Sequence, residues 1–295
     1  MALRSPARSF ALLALVALAL PALEACHEPP PRDPTNALET ARLDYEDAVK
    51  LLDGKSYLEA SSALKNVAKK HAYTKYGRLA QLRLADLDFA QDKIAEALKG
   101  YRAYVKDHPA DKEEVAYARS RIAEGEYAQI ATSFLLAATE ERDQTPILEA
   151  YRELRGFMRD FSDSPRMPKF RDMLDEVVSR LVGHELAVAA FYMNRANYTA
   201  AEARVNYALF TYVPPRFWDA EEPMATIEPV LTDKRNYVTE CLLLRAEIAR
   251  KQHAWAKARD TYELIVSRYG DHPAVAAARA ELASLPREPS VATAP

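Results

Sequence analysis

The chain has 295 residues, 49% of them apolar and 28% charged, so it can bury a sizeable core and does not have the composition of a disordered chain. Lysine and arginine number 40 against 43 aspartates and glutamates, and a net charge of −3 leaves no footprint for a polyanion, which excludes nucleic acid as the expected partner. Only seven glycines occur, as a nearly all-helical chain requires, and the length suits a solenoid better than one compact bundle.

Residues 1–25 read as an export signal. Arg4 and Arg8 supply the positive start, and Phe10 to Leu20 is an uninterrupted apolar run. Eleven helical residues span about 16 Å, well short of a bilayer core of roughly 30 Å, so the run reads as a signal and not as a permanent membrane span. Leu23-Glu24-Ala25-Cys26 follows and resembles a bacterial lipobox, which implies cleavage before Cys26 and acylation of its thiol. Acyl chains there would hold the protein on a membrane without spanning it. Residues 26–36 (CHEPPPRDPTN) form a stiff, proline-rich tether, and Thr35 or Asn36 is placed to cap a helix that begins ahead of Leu38.

From residue 37 the apolar pattern is helical, and it comes in pairs. Arg78 to Pro109 shows it best. Apolar residues recur through Leu79, Leu82, Ala85 and Phe89, break at Gln91-Asp92-Lys93, and resume through Ile94, Ala97, Tyr101 and Val105. Two helices of about four turns closed by a proline make a unit of about 34 residues, which resembles a tetratricopeptide (TPR) repeat. Five units can be recognised by a small alanine in the second helix, at Ala60, Ala97, Ala150, Ala201 and Ala258. Each is followed four residues later by a groove filler: Leu64, Tyr101, Leu154, Val205 and Tyr262. One hairpin cannot bury its own apolar face, so the units must stack. The predicted fold is all-α, a right-handed α-solenoid of about five TPR-like helix pairs over residues 37–286, with a capping helix opened by His272-Pro273 and a disordered tail over 287–295. The step from Ala60 to Ala97 is 37 residues and every later step exceeds 50, which predicts extended helices or insertions. The most conspicuous insertion is 214–233, with its prolines, acidic residues, Phe217 and Trp218.

Motifs for catalysis or metal binding are missing from the sequence. There is no His-Glu-x-x-His, Cys-x-x-Cys, Gly-x-Ser-x-Gly or phosphate-binding glycine loop. His184-Glu185 lacks a second histidine, adjacent acid pairs such as Glu113-Glu114 point to different sides of a helix, and Cys241 stands in an apolar run where it behaves as a small hydrophobe. The expectation is a protein without cofactor, metal site or catalytic residue.

A secreted five-unit TPR array behind a lipobox and a proline tether resembles the BamD family, the lipoprotein subunits of the outer-membrane β-barrel assembly machinery. Residues 45–60 (YEDAVKLLDGKSYLEA), 105–109 (VKDHP), 147–164 (ILEAYRELRGFMRDFSDS) and the Val188-Ala189-Ala190-Phe191-Tyr192 run carry the likeness. Ser162 stands where the family closes its third unit with a proline. The resemblance implies a lipid-anchored, periplasm-facing protein of the outer membrane, acylated at Cys26. It implies partners too: a POTRA-containing, BamA-like insertase, other lipoproteins of the complex, and unfolded outer-membrane β-barrel proteins. By register the family's charged contact to the insertase falls on Arg204. The first helices of the early repeats would line a substrate peptide groove with Tyr45, Val49, Leu82, Asp86 and Phe89, apolar residues with few charges. A TPR pilotin or peptidoglycan-associated lipoprotein, and a periplasmic enzyme with an unrecognised site, remain open alternatives.

Overall fold

A computed structural model describes residues 36–132, 144–213, 237–270 and 272–286. The signal, Cys26, the 214–233 insertion and the 287–295 tail therefore lie outside the described residues. The chain divides into two units at Thr40. In the first, the sequence alternatives for the opening cap resolve to Asn36: its side chain accepts the Glu39 N–H at 3.0 Å, and its carbonyl accepts from the Thr40 hydroxyl at 3.1 Å.

All regular structure among the described residues is helical. The helices are α1 (Ala37–Asp53), α2 (Tyr57–Lys70), α3 (Lys75–Ala90), α4 (Ile94–Asp107), α5 (Lys112–Thr132) and α6 (Thr145–Asp160). They continue as α7 (Met167–Met193), α8 (Tyr198–Tyr212), α9 (Tyr237–Lys251), α10 (Trp255–Arg268) and α11 (Pro273–Ser284). From α2 on, each helix packs on the next, and α3 on α5, α7 on α9 and α9 on α11 add contacts between first helices of successive pairs. This is an all-α, TPR-like solenoid. The long steps in the alanine register come partly from helix length, since α5 has 21 residues and α7 has 27.

The repeat markers occupy the core. All five alanines are fully buried, as are Leu64, Tyr101, Leu154 and Val205, and Tyr262 is nearly so. They belong to three successive apolar clusters, over α1–α3, α3–α5 and α5–α11. Small residues set how closely helices approach. A Cβ added at Gly100 of α4 would stand 2.8 Å from the Cβ of Ala85 on α3.

The four intra-pair turns that lie wholly within the described residues share one geometry. Lys55, Asp92, Ala196 and His253 all take φ near +60°, five residues before the buried alanine of the second helix. In each, two backbone N–H groups reach back to the helix just ended: Lys55 to the Leu52 carbonyl and Ser56 to Leu51, then Asp92 to Phe89 and Lys93 to Asp88. Ala196 bonds to Met193 and Asn197 to Tyr192, and His253 to Arg250 and Ala254 to Ala249. This is the left-handed helix stop that satisfies the last carbonyls, built here without glycine.

Candidate functional site: a charged peptide cleft and a partner face

Three first helices, α1, α3 and α5, contribute one side each to a cleft of about 570 Å³. Tyr45 and Val49 lie one turn apart on α1, Arg83 and Asp86 at i,i+3 on α3, and Tyr117 and Arg121 at i,i+4 on α5, so each helix presents a coherent face. Asp86 is the hub. Its Oδ1 accepts from the Tyr101 hydroxyl at 2.5 Å and the Tyr117 hydroxyl at 2.8 Å, and its Oδ2 is paired with Arg83. Arg83 also donates to the Tyr45 hydroxyl at 3.2 Å, and Arg121 donates to the Tyr101 hydroxyl at 3.3 Å.

A second carboxylate, Glu124, one turn along from Arg121, extends the lattice. It accepts from Arg121 at 2.5 Å, Lys169 at 2.8 Å and Arg166 at 3.2 Å. Burial opposes its charge, but the hydrogen bond from Lys169 and the field of Arg121 outweigh it and hold the carboxyl below its ordinary pKa. Burial works against Arg83 as well. Its bonds to Tyr45 and Asp86 prevail and raise its pKa. Burial, reinforced by the neighbouring Asp86, pushes the Tyr101 and Tyr117 hydroxyls up, so both stay protonated donors.

Four cations, Arg83, Arg121, Arg166 and Lys169, thus surround two carboxylates, and the lattice carries a net charge of about +2. Aromatic faces lie among them. The Arg83 and Arg166 guanidinium carbons each stand 5.4 Å from the Tyr117 ring centre, and Arg121 lies 3.8 Å over Phe89. Such a surface can hold backbone carbonyls, carboxylates and aromatic side chains of an extended chain.

The structure places Tyr45, Val49 and Asp86 in one cleft. Two expectations need correction. Leu82 is only 2% exposed and packs with Ala85 and Tyr101 between repeats, so it does not line the cleft. The cleft is also not poor in charge: Arg83, Tyr117 and Arg121 were not anticipated, and they make most of its polar contacts. Phe89 sits behind Arg121 and against Tyr101, with ring centres 6.5 Å apart, where it supports the lattice. The i,i+3 and i,i+4 spacings were in the sequence, but that α3 and α5 face one another was not.

The second feature is on α8. Arg204 is exposed, with Nη1 3.3 Å from Oε2 of the buried Glu185 on α7. Its guanidinium is therefore held inside the fourth pair while its outer edge faces solvent. Tyr207 and Phe210 continue the same exposed stripe at 47% and 62% exposure, and sequence reasoning missed both. Among the described residues, no helix is long and apolar enough to cross a membrane, and no cluster of histidine, cysteine and acidic side chains could hold a metal ion.

The family model for the outer membrane lipoprotein YfiO matches residues 39–222, which hold both the cleft and Arg204. The chain belongs to the BamD (YfiO) family. The outer membrane protein assembly factor BamD of Neisseria gonorrhoeae is 25% identical over 187 residues, 62% of this chain and 69% of that protein. BamD of Neisseria meningitidis serogroup A is 24% identical over the same shares. Among solved structures, a tetratricopeptide repeat protein from Parabacteroides merdae aligns at 14% identity with a TM-score of 0.25, covering 83% of this chain and 98% of its own. The assembly chaperone of RpL4 (Acl4) aligns at 14% identity and TM-score 0.23, covering 82% and 96%.

Proposed function

We propose that this BamD-family protein is a non-catalytic outer-membrane lipoprotein that assists β-barrel assembly by binding. The observation that carries the reading is the family match, which runs continuously over the cleft and the α8 stripe. Acylated Cys26 anchors the chain in the outer membrane, facing the periplasm, and the 26–36 tether spaces the array from the bilayer. The α1–α3–α5 cleft receives segments of unfolded β-barrel proteins. Its cations take carbonyls and carboxylates, and Tyr45, Tyr117 and Val49 take apolar side chains. Repeats four and five dock on the POTRA domains of a BamA-like insertase, with Arg204 meeting an acid there and Tyr207 and Phe210 giving the contact its apolar area. Other lipoproteins of the complex complete the set of partners.

The test is a mild-detergent pull-down of the tagged protein from native membranes, with mass spectrometry of the partners and of the mature N-terminus. Recovery of a POTRA-containing barrel protein and an acylated Cys26 is the expected result. A secretin in its place, or an unmodified N-terminus, would overturn the reading. Arg204→Glu is expected to lower insertase recovery at least tenfold with the array still folded. Because it also sets two carboxylates together, Glu185→Gln is the control: it disturbs the same intramolecular pair and should leave recovery within a factor of two. Equal losses in both variants would make Arg204 a structural residue only.

A further inference from the structure

The outer face of α2 is cationic, and among the described residues no helix is packed on it. The side buried against α1 and α3 is Ala60, Leu64 and Val67. At 100° per residue, Leu58, Ser62, Lys65 and Lys69 fall in one arc of about 60° on the opposite side, and all four are exposed. Lys70 follows, and beyond the helix end stand Tyr73 and Lys75. Leu58 is 82% exposed and Tyr73 fully so, two large apolar side chains that contribute nothing to the core. Among the described residues neither Lys65 nor Lys69 has an ion-pair partner. The helix dipole favours Lys69 and Lys70 in the last turn. It does nothing for Lys65 in mid-helix, and it disfavours Lys75 at the first position of α3. The carboxylate among the exposed residues of α2 is Glu59, at the far end of the helix.

We infer that this face lies on an anionic phospholipid surface. Lysines with aliphatic stems below charged heads, flanked by a leucine and a tyrosine, suit a headgroup layer, where the heads meet phosphates and the apolar ends enter the acyl boundary. Chain length favours the same partner. Ten residues separate Cys26 from Ala37, and the eleven backbone steps between them span at most about 40 Å, so an anchored Cys26 keeps the start of α1 near the bilayer. Lys70 and His71 bond Asp44 at 3.2 and 2.8 Å, which ties the cationic end of α2 to the early turns of α1. The outer face of α4 is mixed in sign, with Lys99 and Lys106 exposed beside Glu96 and Asp107. The lipid-facing character belongs to the first pair.

The inference rests on the anchored reading for its geometry, but its test does not. The whole mature chain carrying Cys26→Ser, so that no acyl group delivers it to a bilayer, is sedimented with phosphatidylcholine vesicles with and without phosphatidylglycerol. Binding is expected only to the anionic vesicles, and it should weaken as salt is raised. Each lysine near such a surface is worth about a fivefold change in partitioning, so Lys65→Gln with Lys69→Gln should reduce binding by more than an order of magnitude. Tyr73→Ser should reduce it severalfold, and Lys99→Gln with Lys106→Gln should leave it unchanged. No binding to anionic vesicles, or equal losses from the α2 and α4 pairs, would overturn the proposal. So would a dimer that forms without vesicles and is lost in the α2 variant, since the face would then belong to a second copy. An unmodified Cys26 in the native protein would remove the anchor and leave the vesicle result as it stands.

Discussion

At the scale of the residue, space matters as much as chemistry, and the glycines separate the two. Gly77 in the first turn of α3 has no room for a methyl group: a Cβ there would meet the His71 carbonyl oxygen at 2.2 Å, its carbon at 2.7 Å and the Ala72 Cα at 3.1 Å. All three atoms are backbone of the turn between α2 and α3, so nothing nearby can swing aside. Gly183, inside α7, would meet nothing within 4 Å. Replacing glycine by alanine in a helix is worth about 1 kcal/mol when no other change follows. Gly183→Ala should therefore raise stability by about 0.5–1 kcal/mol, and Gly77→Ala should lower it by about 1–3 kcal/mol as overpacking overrides propensity. Urea denaturation of the two variants checks the contrast, and equal shifts would mean that the α2–α3 turn yields freely. The two positions look alike in sequence, because the difference lies in a turn that folds back over one of them.

At the scale of the element, the buried alanines were legible because their cause is local in sequence. Where a second helix must approach its partner, a small residue is required, and the filler four residues later occupies the same face. The turns were less legible. Sequence reasoning looks for glycine at a left-handed helix stop, yet Gly54 is bypassed and Lys55 takes φ 59°, while Ala196 takes φ 57° with no side-chain polar group to ease it. What fixes the conformation is the pair of backbone bonds across each turn together with the burial of the next helix. A residue with a Cβ in that region is disfavoured by about 1–2 kcal/mol. Ala196→Gly should then raise stability by about 0.5–1 kcal/mol, once the extra freedom of glycine in the unfolded chain is set against the relief. A lower melting temperature for Ala196→Gly would show that the turn is not strained.

At the scale of the whole molecule, most of the fold was legible and most of the cleft was not. Pairs, markers and capping helix follow from periodicities within a few dozen residues. The Asp86 lattice depends on contacts across 31 residues to Tyr117, and the Glu124 lattice on contacts across 45 residues to Lys169. Those distances are set by how first helices stack, which no periodicity encodes. The same stacking governs how the array opens. Because the core is built as successive clusters, a cavity made in the first should loosen its neighbours and leave the distant ones shut. Leu64, fully buried in the first cluster, is the place to make it. Leu64→Ala should cost about 3 kcal/mol. Hydrogen exchange should then quicken in the part of α1 from Ala41 and in α2 and α3, with a smaller effect in α4, while α9, α10 and α11 keep their protection. If protection fell equally throughout, the array would unfold as one block, and the cleft and the α8 stripe would be energetically coupled. If the loss stays local, the first pairs can order or disorder without disturbing the α8 stripe at the other end, as the proposed division between substrate capture and docking requires.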